Sequence, residues 1–233
     1  MKKNIKRLHD SFYLKENRYE KTKESFKLLV KLLKKKIKKD KTYSLIDIGC
    51  ANGELIYQLE KNFKNLRITG LDVRQDLLEK AKNNLSTKVK FIKKNIFTKQ
   101  KLGKFDFIIA SGVISITDNP KIFRDNLIKS LNKNGSIFLF NHFNKHDFNI
   151  FSKYQDLKIP KILQSGWNIF SLKFIKTLFN NRKTKYYQFT IKKKISPNIK
   201  DPIRSWTVKI NGKNYFTNGL SLIIDQYWIQ IDN

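Results

Sequence analysis

At 233 residues, the chain is long enough for one α/β domain with a modest addition, and 40% hydrophobic residues can form a substantial core. Its formal net charge of +30 comes from 49 Lys and Arg against 19 Asp and Glu. A single cysteine excludes a disulfide framework and a cysteine-based metal site, and three scattered histidines have no metal-binding spacing, so we expect no metal.

The positive charge is unevenly distributed along the chain. Residues 157–200 contain ten Lys and Arg182 but neither Asp nor Glu, so we expect this region to attract anions and to respond to salt. Surfaces that recognise nucleic-acid sequence favour Arg, because its guanidinium group makes bidentate and stacking contacts. Only seven of the basic residues are Arg. The composition therefore favours a solvated basic surface, with an RNA-binding surface as the alternative.

The first 40 residues predict a basic helical segment. Apolar residues recur at helical spacing between Lys21 and Lys39, which predicts a helix that packs on a sheet or, alternatively, lies on an anionic membrane. The segment has no apolar signal region, and no apolar run in the chain is long enough to cross a bilayer. We therefore expect a cytoplasmic protein without stable membrane insertion. Four side chains upstream of the helix could cover a bound ligand: Phe12, Tyr13, Arg18 and Tyr19.

The most informative segment is a strand, turn and helix between residues 44 and 60. An apolar strand pattern at 44–48 precedes a glycine-containing turn at 49–53, and apolar residues then recur at helical spacing. Such a turn leaves free backbone N–H groups at the helix start, above the carboxyl end of the strand. Nineteen residues after Gly53, a second strand ends at Asp72, whose carboxylate can accept both hydroxyl groups of a ribose. Together these features predict a nucleoside-cofactor site.

The spacing of the glycines distinguishes between cofactors. A dinucleotide-binding turn needs G-x-G-x-x-G so that its backbone can approach a pyrophosphate, but Ala51 and Glu54 occupy the second and third glycine positions here. The carboxylates of Glu54 and Asp47 would repel a diphosphate and attract a ligand with sulfonium and ammonium groups. The segment Asp47–Gly53 closely resembles motif I of the class I S-adenosylmethionine-dependent methyltransferases. An ordinary strand-to-helix turn with two glycines is the alternative.

The alternation of strands and helices extends this resemblance over residues 42–143. It predicts an α/β fold with a doubly wound, mostly parallel sheet of seven strands, similar to a Rossmann fold. The strands are predicted at 44–48, 67–71, 89–92, 106–110 and 136–141, with helices near 53–62, 75–85 and 120–131.

The resemblance also implies a cofactor, S-adenosylmethionine, with S-adenosylhomocysteine as its product. Asn95 follows the third strand, where the family commonly has an Asp that contacts the adenine amino group, and its side-chain carbonyl can accept the same hydrogen bond. Asp106 matches an acidic residue that opens the fourth strand, where its usual role is structural. The predicted cofactor-binding residues are Asp47, Gly49, Cys50, Ala51, Asn52, Gly53, Asp72, Val73, Asn95, Ile96, Ser111 and Gly112.

The C-terminal part of the chain predicts the end of the sheet and an insertion. A helix is expected from Ser171, and strands at 184–195 and 220–231 match the antiparallel pair that ends the sheet in this family. Asn211-Gly212 suits a type I′ turn, so residues 205–217 predict a β-hairpin inserted between those strands. We expect a single domain over 1–233, with the basic helical segment at 1–40, the cofactor-binding core at 41–143 and the substrate-side segment at 144–233.

Candidate catalytic and substrate residues lie beyond the strand ends. Methyl transfer from a sulfonium is an in-line displacement, and a hydroxyl or amine acceptor also needs a base. His142 and Asp118 are the candidate bases; the alternatives are an ordinary loop histidine and a helix cap. The sequence Ala110–Val113 lacks the motif of enzymes that methylate exocyclic amines. Trp167, Arg204 and Trp206 could line an acceptor pocket, although both aromatic residues could instead pack in the core.

Three functions are compatible with the sequence. The leading prediction is a methyltransferase for a small, anionic acceptor such as a sugar or sugar nucleotide, because a basic face would attract it. The tail of the chain is loosely similar to bacterial methyltransferases linked to surface-sugar synthesis. An RNA methyltransferase and a non-catalytic cofactor-binding scaffold are the alternatives, and the sequence indicates no oligomeric state.

Overall fold

The computed structural model describes residues 8–155, 157, 161, 163–180, 182–201 and 203–233. Six α-helices occur in this part of the chain: α1 (Leu8–Lys15), α2 (Glu24–Lys34), α3 (Glu54–Asn62), α4 (Gln75–Asn84), α5 (Lys121–Ser130) and α6 (Leu172–Leu178). The first five strands are β1 (Tyr43–Ile48), β2 (Leu66–Asp72), β3 (Lys90–Lys93), β4 (Phe105–Ser111) and β5 (Leu131–Asn144). The later strands are β6 (Lys153–Gln155), β7 (Leu163–Ser165), β8 (Phe170–Ser171), β9 (Thr184–Phe189), β10 (Trp206–Ile210), β11 (Lys213–Thr217) and β12 (Gln226–Asp232).

The central sheet has the strand order β3-β2-β1-β4-β5-β12-β9, with the short β8 paired to the end of β5. Strands β1 to β5 are parallel, whereas β12 runs antiparallel to both β5 and β9. The predicted doubly wound, mostly parallel α/β sheet is therefore confirmed, and so is the antiparallel pair at its end. The order reverses between β1 and β4, and ligands bind at such a switch point in open α/β sheets.

The sheet separates two hydrophobic cores because successive side chains of a strand face opposite sides. Leu45 of β1 packs with α2 and α3 on one face, whereas Ile46 packs with α5 and α6 on the other. Helix α2 is the predicted amphipathic helix, and it packs on the sheet with Leu29 and Leu33 fully buried. No helix among the described residues is both long and apolar enough to cross a membrane.

Some strand boundaries differ from the prediction. Strand β5 begins at Leu131, five residues before the predicted start, because a register shift against β4 allows an earlier pairing with Phe105. Strand β9 ends at Phe189 rather than at 195, and β12 begins at Gln226 rather than at 220. The short hairpin of β6 and β7 was not predicted, since strands of three residues give little periodic signal.

The inserted hairpin is confirmed as β10 paired with β11 outside the central sheet. Asn211 and Gly212 both have positive φ, at 46° and 78°, as the type I′ turn requires. Strands β10 and β11 therefore form a two-stranded sheet of their own. We call residues 190–225 the insertion.

Candidate cofactor and acceptor site

A cavity of about 470 Å³ lies at the carboxyl ends of β1, β2, β4 and β5. Three further parts of the chain contribute to its walls: the segment that includes α1, the turn between β1 and α3, and the insertion. Small-molecule sites in proteins have volumes of this order. The cavity brings together most of the residues that the sequence predicted for the cofactor.

The turn after β1 uses the left-handed backbone region at alternate residues. Gly49, Ala51 and Gly53 have φ of 69°, 49° and 82°, which folds the chain tightly before α3 begins. The Ala51 amide donates to Asp72 Oδ2 at 2.9 Å, and the Arg74 amide donates to Oδ1 at the same distance. Asp72 is therefore held against the turn by backbone groups, and each oxygen keeps capacity for a second hydrogen bond.

The cavity carries a concentration of buried carboxylates. Burial raises the pKa of Asp47 well above its ordinary value, and the neighbouring Asp72 raises it further. Burial also raises the pKa of Asp72, although the backbone amides of Arg74, Ala51 and Val73 act in the opposite direction. A bound cation would relieve both effects, because an opposite charge nearby favours the ionised carboxylate. This part of the cavity is suited to a positively charged ligand.

Glu54, at the start of α3, is paired instead with cations of the N-terminal segment. Arg18 Nε lies 3.3 Å from its Oε1, and Lys23 Nζ lies 3.7 Å from its Oε2. Burial opposes the ionisation of Glu54, but Lys23 and Arg18 outweigh it and lower its pKa. Burial also lowers the pKa of Lys23, to about 8, with repulsion from Arg18 adding to the effect.

Not every predicted cofactor residue faces the cavity. Gly53 and Asn95 lie outside it: Gly53 packs against α4, and the Asn95 side-chain oxygen accepts the Phe97 amide at 2.9 Å in a local turn. Phe97 lines the cavity together with Ile96 and Lys94, and sequence reasoning did not select Phe97. The predicted residues that do line the cavity are Asp47, Gly49, Cys50, Ala51, Asn52, Asp72, Val73, Ile96, Ser111 and Gly112.

His142 lies in the cavity wall near the end of β5. The Gln226 amide nitrogen is 2.9 Å from His142 Nε2, and Ser205 Oγ is 3.4 Å from the same atom. With the Gln226 amide in this orientation, Nε2 accepts the hydrogen bond and the ring proton is placed on Nδ1. Burial lowers the pKa of His142 to about 4, which keeps the ring neutral at physiological pH.

The other predicted catalytic and substrate residues divide into two groups. Trp167 and Arg204 line the cavity, whereas Trp206 and Asp118 do not. Asp118 is about half exposed; it forms an ion pair with Lys153 and accepts a hydrogen bond from Asn168 at 2.9 Å. The structure therefore does not bring Asp118 to the cavity as a base.

The apolar wall of the cavity was missed by sequence reasoning. It is formed by aromatic and aliphatic side chains from β5, β9 and the insertion. The alternation of apolar and polar residues along a strand predicts that such side chains are buried, but it does not predict that they line a cavity. Phe189 stacks on Phe216 at 5.7 Å between centroids, and Phe140 packs edge-on against Phe189 at the same separation. The other members of this wall are Ile191, Ile195 and Ile203.

The segment 8–20, which we call the N-terminal cover, closes another side of the cavity. His9 Nδ1 lies 2.9 Å from Asp201 Oδ1, and Arg204 pairs with both Asp201 and Glu16. Lys80 of α4 donates to the Leu14 carbonyl at 2.6 Å near the end of α1. Of the four predicted cover residues, Tyr13 and Arg18 line the cavity, whereas Phe12 and Tyr19 do not; the Tyr19 hydroxyl donates to the Asn52 carbonyl.

Comparisons with known proteins agree with this architecture. A family model described as a methyltransferase domain matches residues 39–189. The chain is 27% identical to malonyl-[acyl-carrier protein] O-methyltransferase 2 of Ilyobacter polytropus, over 61% of this chain and 55% of that protein. It is 32% identical to malonyl-[acyl-carrier protein] O-methyltransferase of Halalkalibacterium halodurans, over 52% and 47%. The chain thus spans about half the length of the curated relatives that it matches.

A solved structure supports the fold over nearly the whole chain. The N-methyltransferase NodS from Bradyrhizobium japonicum, in complex with S-adenosyl-L-homocysteine, superposes with a TM-score of 0.57 at 16% identity. The superposition covers 96% of this chain and 92% of that chain. The chain therefore belongs to the methyltransferase domain family, with the fold of the class I S-adenosylmethionine-dependent enzymes.

Proposed function

We propose that the chain transfers a methyl group from S-adenosylmethionine to a small, anionic acceptor bound in the same cavity. The observation that carries this proposal is the position of Asp72, which the turn after β1 holds at the cavity with hydrogen-bonding capacity to spare. The intact turn supports cofactor binding, which a non-catalytic cofactor-binding scaffold would share, so turnover of an acceptor is the measurement that separates these two functions.

The residues fit the chemistry of this cofactor. Asp72 can accept the ribose hydroxyls, and Leu77, Ile96 and Phe97 offer apolar contacts for an adenine ring. The buried carboxylates of Asp47 and Asp72 suit the positive charges of a methionine-type ligand. When bound, S-adenosylmethionine would supply a methyl group on a positively charged sulfur, which is an excellent leaving group. The protein needs mainly to hold an acceptor in line with that group and to exclude water.

The preference for an anionic acceptor is supported by the basic rim of the insertion. Lys192, Lys193 and Lys194 are exposed between Ile191 and Ile195, which line the cavity. Their field would concentrate anions at this end of the site, most strongly at low salt. A sugar or sugar nucleotide is one such acceptor. The curated relatives carry names that indicate an O-methylated malonyl group on an acyl-carrier protein, which is an anionic acceptor of another kind.

Calorimetry with S-adenosylhomocysteine tests the proposal. We expect the wild-type chain to bind it, and we expect Asp72→Asn to weaken binding at least about tenfold because a charged hydrogen-bond acceptor is lost. Asp72→Ala should weaken it further. Asp40→Asn, which makes the same charge change at an exposed position, is the control. Absence of S-adenosylhomocysteine binding, or tighter binding of NAD, would contradict the proposed function.

A further inference from the structure

We infer that the protein docks on the surface of an anionic lipid bilayer through the hairpin of β6 and β7. The residues of this hairpin lie beside the cavity but do not line it, so docking is a property that methyl transfer alone does not require. Three features of the described residues carry the inference: a group of exposed apolar side chains, the basic residues around that group, and the attachment of the hairpin to the cavity wall.

Exposed apolar side chains are concentrated around the hairpin. Ten large hydrophobic side chains are exposed in the part of the chain that the structure describes, and four of them fall within residues 148–163. These four are between 51% and 81% exposed, and we call them the exposed apolar group: Phe148, Phe151, Leu157 and Leu163. Single exposed apolar residues are common on proteins, but a group of them indicates a binding surface.

The pairing of β6 with β7 combines apolar and basic side chains on one face of the hairpin. Leu163 is the cross-strand partner of Gln155, and Lys153 lies on the same face because side chains alternate along a strand. All three side chains are exposed, whereas Gln164 on the other face is buried. Such a face suits a lipid interface, since its apolar side chains can contact acyl chains while its lysine reaches the headgroups.

The basic residues around this group favour a lipid surface over a protein partner. Residues 144–165 contain four Lys, two Asp and no Arg, and residues 157–200 contain no acidic residue. Protein interfaces are depleted in Lys and enriched in Arg, whereas surfaces that bind anionic membranes combine Lys with Phe and Leu. Anionic headgroups also complement the net charge of +30. An anionic bilayer therefore matches both the charge and the exposed apolar group.

The hairpin is joined to the wall of the cavity through Asn168. The Asn168 side-chain oxygen accepts the Ser152 amide at 2.8 Å, and the Asn168 backbone amide donates to the Ser115 carbonyl at 2.9 Å. Trp167, which precedes Asn168, and Ile116, which follows Ser115, both line the cavity. Docking through the hairpin therefore brings a lipid surface close to the cavity.

Vesicle flotation tests docking without any methyl transfer. The wild-type chain is mixed with vesicles of phosphatidylcholine alone, or with about 30% phosphatidylglycerol, in about 100 mM salt, which screens part of the charge. We expect at least about tenfold stronger binding to the vesicles that contain phosphatidylglycerol, because apolar contact and electrostatic attraction then act together. Equal binding to both kinds of vesicle, or no binding to the anionic one, would overturn the inference.

Two matched double variants separate the apolar contribution from the charge. Leu157→Ser with Leu163→Ser removes two side chains of the exposed apolar group, and Ile199→Ser with Ile223→Ser removes two similarly exposed side chains of the insertion. Neither pair changes the net charge. We expect the first pair to weaken binding to anionic vesicles at least about tenfold and the second pair to leave it unchanged. Equal binding by the two pairs would mean that the protein adsorbs through charge alone, which contradicts docking through the hairpin.

A fluorescent label reports directly whether the hairpin enters the lipid. Cys50 is the single cysteine of the chain and is buried, so Leu157→Cys offers an accessible site for an environment-sensitive dye, with Ile199→Cys as the control. On addition of anionic vesicles we expect the emission of the dye at residue 157 to shift to the blue and that at residue 199 to stay unchanged. A dye at residue 157 that does not shift would show that the hairpin stays in water, against the inference.

A protein partner is the competing explanation, and a second copy of the chain is its simplest form. If sedimentation velocity shows self-association of the wild-type chain that Leu157→Ser with Leu163→Ser abolishes, the exposed apolar group is an interface between copies and the inference is wrong. A monomeric wild-type chain that floats with anionic vesicles supports docking on lipid. None of these measurements involves S-adenosylmethionine, so their failure would leave the proposed function intact.

Discussion

Gly53 combines a backbone requirement with a packing requirement. Its φ is 82°, and a Cβ atom there would lie 2.5 Å from Leu85 Cδ1 and 3.2 Å from Ala81 Cβ. We expect Gly53→Ala to lower the free energy of unfolding by about 2–4 kcal/mol, from left-handed backbone strain and overpacking together. Gly103 also has positive φ, at 89°, but a Cβ atom there meets nothing within 4 Å.

Comparing Gly53 with Gly103 therefore separates the cost of backbone strain from the cost of overpacking. Gly103→Ala should cost only about 1–2 kcal/mol, because it adds backbone strain alone. Urea denaturation of both variants measures the difference. Equal losses for the two variants would show that contact with α4 contributes nothing at Gly53.

His142 makes the stability of the protein sensitive to acid. Its folded-state pKa of about 4 is below the ordinary value of 6.5, so the folded protein binds this proton less readily than the unfolded chain does. The resulting stability is fully present above pH 6.5 and is lost as the pH falls toward 4. We expect this residue to account for about 2 kcal/mol of the stability lost between pH 7.5 and pH 5.

The variant His142→Gln isolates that contribution. Chemical denaturation at pH 7.5 and pH 5 should show a smaller pH-dependent loss for the variant than for wild type. His146→Gln, a change at an exposed position, is the matched control. An unchanged pH dependence in His142→Gln would show that the His142 ring is not buried in the neutral form in solution.

At the scale of elements, the N-terminal cover is fastened to the insertion by Asp201. Asp201 is 2% exposed. Its carboxylate is hydrogen-bonded to His9 on the cover and accepts a hydrogen bond from Arg204 Nε at 3.1 Å. Burial opposes the ionisation of Asp201, but the His9 hydrogen bond and the nearby charges outweigh it and lower the pKa. Because both partners of Asp201, His9 and Arg204, line the cavity, breaking this connection should loosen the cover and speed ligand exchange.

Hydrogen exchange and ligand dissociation measure this effect. In Asp201→Ala we expect at least tenfold faster amide exchange in α1 and faster release of S-adenosylhomocysteine, with β1 and β4 unchanged. Asp147→Ala breaks an exposed ion pair with Lys173 and serves as the control. Faster exchange throughout the central sheet would instead indicate that Asp201 stabilises the whole fold.

The features that could be predicted from the sequence are those that depend on residues close together in the chain. The turn at 49–53, Asp72 at a strand end and the Asn211-Gly212 hairpin each depend on a few neighbouring residues, and the structure contains all three. The aromatic wall could not be predicted in the same way. Phe140, Phe189 and Phe216 belong to different strands, and only the tertiary arrangement brings them together.

The hydrogen-bond and ion-pair partners of individual side chains also could not be predicted from the local sequence pattern. Asn95 was predicted to face the adenine, but its side chain caps a turn by accepting the Phe97 amide, a conformation that Asn adopts readily. Asp118 was predicted as a possible base, but Lys153, thirty-five residues away, pairs with it outside the cavity. Such partners depend on the path of the whole chain.

At the scale of the whole molecule, the site depends on both ends of the chain. The cover, the strand ends and the insertion all contribute to the cavity. Other contacts join the region of α2 to β12: Trp228 Nε1 donates to the Ser25 carbonyl at 2.9 Å, and Lys36 Nζ lies 2.7 Å from Asp232 Oδ1. These two contacts connect residues that are 203 and 196 positions apart in the sequence.

The net charge of +30 also acts at this scale, and it provides the test of the RNA alternative. A basic surface that only attracts phosphates should bind single-stranded RNA at 50 mM salt and lose most of that binding by 200 mM, because bound counterions are released. We expect this behaviour in fluorescence anisotropy, with the same affinity whether or not S-adenosylhomocysteine is present. RNA binding that resists 200 mM salt and tightens with S-adenosylhomocysteine would contradict this expectation and would favour an RNA methyltransferase.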